Sequence, residues 1–172
     1  DAWQQGNCGL SQGHDLAVTR IIAGEHRGRR LTVPKGDKTR PTADRAREGL
    51  FSSLQSLIDL EGARVLDLYA GSGALALEAL SRGAKEATLV ENDVNALNAL
   101  QKNVALIEAP AVVVDQDVRA FLRGQPSAYQ LVLIDPPYEQ EINEITDLLG
   151  PWTEDGSIVV IERRTRGPEP KA

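Results

Sequence analysis

From Arg64 onward the chain repeats one unit, a short uninterrupted apolar run followed by a stretch of helical spacing, and few folds accommodate that rhythm. The runs Arg64–Tyr69, Ala87–Val90, Ala111–Val114, Gln130–Ile134 and Ser157–Ile161 read as strands. Between them Leu75–Arg82 (closed by Gly83), Asn95–Ala105, Val118–Arg123 and Ile142–Leu149 read as helices. Strands without polar alternation are buried on both faces. The expected class is therefore α/β, a doubly wound, mainly parallel sheet between helical layers. Ligands of such sheets bind beyond the carboxyl ends of the strands, where the strand order reverses. Asp67, Glu91, Asp117 and Asp135 all fall at or just past those ends.

With 172 residues the chain holds one domain with a substantial core. It has no apolar stretch near the roughly 20 residues of a membrane span and no secretory pattern, so a cytoplasmic address is expected. One cysteine, Cys8, excludes an internal disulfide, and two scattered histidines, His14 and His26, give zinc or Ser-His-Asp chemistry little to build on. Residues 1–18 lack periodicity and read as a disordered leader or a remnant, in a chain without methionine. The segment 167–172 reads as a polar tail.

Charge is unevenly divided. Residues 20–47 carry nine Lys/Arg against Glu25, Asp37 and Asp44, a balance of +6 that leaves −12 for the rest of a chain with net charge −6. An acidic body with a basic arm is the asymmetry of a protein with one face toward nucleic acid. Within the arm, Arg20–Gly24 and Arg30–Pro34 read as a short hairpin. Its Arg20, Arg27, Arg29 and Arg30, with Lys35 and Arg45 beyond, are candidate phosphate contacts. A helix capped by Thr42 or Asp44 and running to about Leu60 completes a segment, 19–60, read as the RNA-contacting part. Residues 61–166 then form the core.

Two motifs carry chemistry. Asp67-Leu68-Tyr69-Ala70-Gly71-Ser72-Gly73 joins a strand to a helix through a tight glycine loop, and Glu91 ends the next strand, where a carboxylate can accept both hydroxyls of a ribose. A dinucleotide site has a similar pattern. Asp67, however, would repel a pyrophosphate and suits the cationic methionine end of S-adenosylmethionine; Asp117 suits an adenine edge, and Tyr69 can line the pocket. The second motif is Asp135-Pro136-Pro137-Tyr138, placed where two prolines stop a buried strand. Its carboxylate, carbonyl and ring can hold a planar base through its exocyclic amine. Hydride transfer has no use for such a set. Bland readings stand beside these: Asp67 as a structural strand-end acid, Asp117 or Asp115 as a helix cap, Trp152 and Tyr69 as packing.

These stretches, with Arg20–Gly24, Thr39-Arg40-Pro41-Thr42 and Arg45-Ala46-Arg47-Glu48, resemble the bacterial 16S rRNA guanine-N2 methyltransferase family within the Rossmann-like S-adenosylmethionine methyltransferases. The resemblance spans about residues 19–165. It implies methylation of a guanine exocyclic amine in 16S rRNA, by a monomer acting on an assembled small subunit. Asp135 and Pro136 would hold the amine, Tyr138 would stack on the base, and Arg40 and Thr42 would close over the cofactor. The family's sheet ends in a strand hairpin after the fifth strand, which is expected to be missing here, and Val118 stands where the family usually has alanine. Adenine-N6 methylation of DNA or RNA, or a non-catalytic assembly role, are the alternatives.

Overall fold

The computed structural model describes residues 19–34, 41–108, 110–137 and 141–162. The expectations for residues 1–18, Lys35, Arg40, Tyr138 and 167–172 lie outside these. Strands β1 (Thr19–Arg20) and β2 (Arg30–Leu31) form a small antiparallel hairpin, followed by helix α1 (Pro41–Leu57). The α/β part runs β3 (Arg64–Leu68), α2 (Ala74–Ser81), β4 (Glu86–Glu91), α3 (Val94–Ile107), β5 (Ala111–Asp115), α4 (Val118–Leu122), β6 (Tyr129–Ile134), α5 (Ile142–Leu148), a 3-10 turn (Gly150–Trp152) and β7 (Thr153–Ile161). The five strands lie in the order β5-β4-β3-β6-β7, all parallel. Winding proceeds outward from β3 to β5, then returns to place β6 on the other side of β3. The order therefore reverses between β3 and β6, and that crevice is where a ligand belongs.

Alternate residues of each strand feed two cores. Val65, Leu89, Leu131 and Leu133 pack with Leu77, Leu100, Phe51 and the hairpin's Ile21 and Leu31. Leu66, Leu68, Val132 and Ile134 face Val118, Leu122, Ile145 and Trp152. Each such side chain, fully removed from water, contributes about 1.5–3 kcal/mol. Trp152 is packing, as its sequence context suggests: it is buried, its Nε1 donates to the Leu122 carbonyl at 3.0 Å, and its ring lies against Phe121 and Tyr129.

Three expectations need correction. The hairpin strands are two residues long rather than five, because side chains take the backbone groups that would extend the ladder. Ile22 N and Ala23 N donate to the Glu78 carboxylate (2.9 and 3.1 Å), and Thr32 N donates to Asn103 Oδ1 (2.6 Å). Helix α1 starts at Pro41, so Thr42 and Asp44 lie inside its first turn and neither is the cap; proline suits a first helical position, where no N–H is needed. The same helix stops at Leu57 rather than Leu60, where Asp59 Oδ1 accepts Glu61 N at 3.0 Å and Gly62 turns at φ 78°. No helix among the described residues is long and apolar enough to cross a membrane.

Candidate methyl-donor site at the strand-order reversal

The ends of β3 and β6 open into a cavity of about 290 Å3, lined among others by Asp67, Tyr69, Gly71, Arg47, Asp135 and Glu162. Asp67 sits near the carboxyl end of β3 and is 2 % exposed. Its carboxyl accepts the Ala76 N–H from the start of α2, while Oδ2 is buried with no hydrogen-bond partner. Burial pushes the Asp67 carboxyl well above the usual carboxylate range, and the charges of Asp135, Glu162 and Glu91 push the same way, against the Ala76 bond. An orphaned buried acceptor costs roughly 1–3 kcal/mol unless something outside the protein satisfies it.

The glycine loop is built for close approach. Gly73 has φ 83°, and a Cβ there would lie 2.5 Å from Leu100 Cδ1, so this glycine lets α2 seat against the core. Gly71 also has positive φ, 59°, but a Cβ on it would meet nothing within 4 Å: it faces open space, the place for a ligand. Glu91 holds the loop rather than lining the cavity. Its Oε1 accepts Gly71 N at 2.8 Å and its Oε2 accepts Asn92 N and Asp93 N at 2.9 and 3.0 Å. Tyr69 takes φ 62°, unusual for a side-chain-bearing residue, and its hydroxyl donates to Glu141 Oε2 at 2.7 Å. Burial and that carboxylate push the phenol above its ordinary range. Glu141 in turn pairs with Arg119 at 3.4 Å, tying the chain after the Asp135 tetrapeptide to α4.

Thus Asp67, Tyr69, Gly71 and Asp135 come together, with Gly73 and Glu91 shaping the loop. Pro136 is buried and Asp135 exposed. Asp117 is exposed and caps α4, its Oδ2 accepting Ala120 N at 3.2 Å. The arm's Arg20, Arg27, Arg29 and Arg30, and Arg45 on α1, are all exposed, and Arg20 and Arg30 are direct cross-strand neighbours. Among the described residues of that basic segment, Arg47 is the exception. It is 7 % exposed, donates to the Arg20 carbonyl and to Asp44 Oδ1, and reaches the cavity wall with its Nε unpartnered.

Sequence reasoning missed Glu162, Arg47 and Glu141. Glu162 follows β7 and is joined to Asp135 by a side-chain hydrogen bond, which needs a proton on one of the two carboxyls. Partial burial, then the Asp135 charge and that bond, raise the Glu162 carboxyl. The available signal was its place at a strand's carboxyl end, the rule that singles out Asp67 and Asp135.

A pocket lined by Asp67, Asp135 and Glu162 repels a pyrophosphate and attracts a cation, while Arg47 offers the opposite charge at one wall. The comparisons with known proteins agree with a methyltransferase. Residues 19–172 match the family described as Conserved hypothetical protein 95. The ribosomal RNA small subunit methyltransferase D of Escherichia coli is 42% identical over 149 residues, covering 83% of this chain and 73% of that protein. Its namesake from Haemophilus influenzae is 36% identical over 160 residues, with 87% and 80% covered. Among solved structures, a hypothetical protein of Thermus thermophilus aligns with TM-score 0.72 at 35% identity, over 84% of this chain and 85% of that one. The chain belongs to the Conserved hypothetical protein 95 family, with the small-subunit ribosomal RNA methyltransferases, and has the methyltransferase fold.

Proposed function

We propose that this protein transfers a methyl group from S-adenosylmethionine to the N2 amine of a guanine in 16S rRNA. The observation that carries the reading is the buried, unpartnered Asp67 Oδ2 in the wall of a cavity that Asp135 also lines. The donor set fits the cofactor. Asp67 would take its ammonium group, Arg47 its carboxylate, Gly71 would let the backbone approach it, and Glu91 would offer its remaining lone pairs to the ribose hydroxyls. Bound there, S-adenosylmethionine supplies a methyl already activated by a sulfonium.

What remains for the chain is to position the base. A guanine N2 lone pair is conjugated with its ring and therefore weakly nucleophilic. Hydrogen bonds from the amine to the Asp135 carboxylate and the Pro136 carbonyl would draw that pair out of conjugation and toward the cavity. Tyr138 is proposed to stack on the base, which must be unpaired or flipped to enter. Arg40 and Thr42 are proposed to close over the cofactor, and Asp117 to meet its adenine edge through the oxygen that does not cap α4. The exposed Arg20, Arg27, Arg29, Arg30 and Arg45, with Lys35, are proposed to hold the RNA backbone, on naked rRNA or on the assembled subunit, with a cytoplasmic monomer doing the work.

The test is transfer of labelled methyl to unmethylated small-subunit particles, naked 16S rRNA and DNA, followed by digestion and identification of the labelled nucleoside. N2-methylguanosine from RNA is expected, and its loss in Asp135→Ala with cofactor binding retained. N6-methyladenine as the product would move the protein to another substrate class. Absence of label from every substrate would remove the catalytic reading.

A further inference from the structure

The acid that closes the cavity on the β7 side, Glu162, is not among the groups assigned to the base, and it joins the sheet through its backbone. Glu162 N donates to the Ile134 carbonyl at 2.9 Å, fixing its backbone immediately beside Asp135, and its side chain both bonds Asp135 and lines the cavity that contains Asp67. Three carboxyls from three adjacent strand ends thus share one small space. One of them, Asp67, is buried with an unsatisfied oxygen, while Asp135 and Glu162 stand exposed at the rim above it. Proteins keep such like charges together where a cation is to be received.

The reaction makes that charge consequential. In methyl transfer the amine lone pair forms the N–C bond, the C–S bonding pair returns to sulfur, and the amine's surplus proton leaves to solvent. The donor enters with a sulfonium charge and leaves as a neutral thioether of nearly the same shape. Shape alone cannot tell the spent cofactor from the fresh one, whereas a negative pocket can.

We propose that Glu162 is a charge-selecting residue of the cofactor pocket, which makes the pocket favour the cationic methyl donor over its neutral thioether product. This rests on the cofactor assigned under the proposed function. It adds a residue after β7 that belongs neither to the proposed base-holding set nor to the glycine loop. On their own, Glu162 and Asp135 share a proton. A cation seated beside them favours both carboxylates, and Glu162→Gln isolates, at constant shape, the charge Glu162 then carries.

The experiment is calorimetric titration of the protein and of Glu162→Gln and Glu162→Asp with three ligands. These are S-adenosylmethionine, sinefungin (an ammonium replaces the sulfonium) and S-adenosylhomocysteine (neutral at that position). Thermal melting of each variant checks the fold. Glu162→Gln is expected to weaken the two cationic ligands about tenfold, the order of one nearby charge at the effective dielectric of a protein rim, and the neutral one less than about twofold. Glu162→Asp, which keeps the charge, restores most of the discrimination. Equal weakening of all three ligands would make Glu162 a merely structural residue, and unchanged affinities would remove it from the pocket; either overturns the inference while leaving the cofactor reading intact. Failure of the unsubstituted protein to bind any of the three would overturn both.

Discussion

The buried polar groups under the hairpin and those at the strand ends are finished differently. Under the hairpin, Glu78 and Asn103 meet partners throughout. Glu78, fully buried, accepts Ile22 N and Ala23 N and pairs with Arg82 at 3.0 Å; Arg82 also donates to Gln55 and lies over the Phe51 ring. Asn103, equally buried, gives and takes with Thr32 as a strand would, and donates to the Ser72 carbonyl of the glycine loop at 2.8 Å. At the strand ends the acids are left crowded and one oxygen is unsatisfied. Satisfied buried polar groups fix geometry; unsatisfied ones are kept for something that arrives later. The first set holds the basic arm against the body. The second is the site.

The largest expected effect breaks the finished side. Glu78→Ala takes the carboxylate from Arg82, leaving it only Gln55, and leaves the Ile22 and Ala23 N–H groups without their acceptor. It should cost about 3–5 kcal/mol in denaturant unfolding. Because the hairpin hangs on that carboxylate, proteolysis between residues 20 and 32 should accelerate in the same variant. Gly73→Ala comes next. Its Cβ would press on Leu100 at a backbone angle that suits glycine, for a loss of about 1–3 kcal/mol and weaker cofactor binding by titration. The smallest stability effect belongs to the arm's surface. Replacing Arg27, Arg29 and Arg30 together by Gln should leave the melting temperature unchanged. It should lower RNA affinity and flatten the plot of log affinity against log salt by about 2, as expected when three phosphates are no longer neutralised.

Much of this was legible in the sequence, for physical reasons. A parallel strand buried on both faces must be apolar throughout, so Leu131-Val132-Leu133-Ile134 announces itself, and two prolines mark where it stops. Asp67 and Asp135 were legible because a carboxylate at such a strand's end has no core to join. The hairpin's true length was not legible, since its ladder is cut short by Glu78 and Asn103, 55 or more residues away in sequence. Arg47 was counted with the arm because composition cannot show which arginine turns inward. Glu162 stayed hidden because its meaning depends on β7 lying next to β6, a fact of strand order.

The claim that the strand-end acids are held for a cation, at a cost to the unliganded fold, is tested most directly by Asp67→Asn with two readouts. Burial holds the proton on Asp67 to higher pH in the fold than in the unfolded chain. The stability that goes with this is complete in acid, below the unfolded ionisation. It is lost as pH rises through the folded one, where the unfolded chain has already released its proton. Asparagine keeps the shape and an acceptor for Ala76 N without ionising. Asp67→Asn should melt higher than the unsubstituted protein at neutral pH, the gain should vanish in acid, and affinity for S-adenosylmethionine should fall at least about tenfold. A variant that melts lower at neutral pH and binds the cofactor as before would contradict that claim, and would make Asp67 an ordinary structural acid.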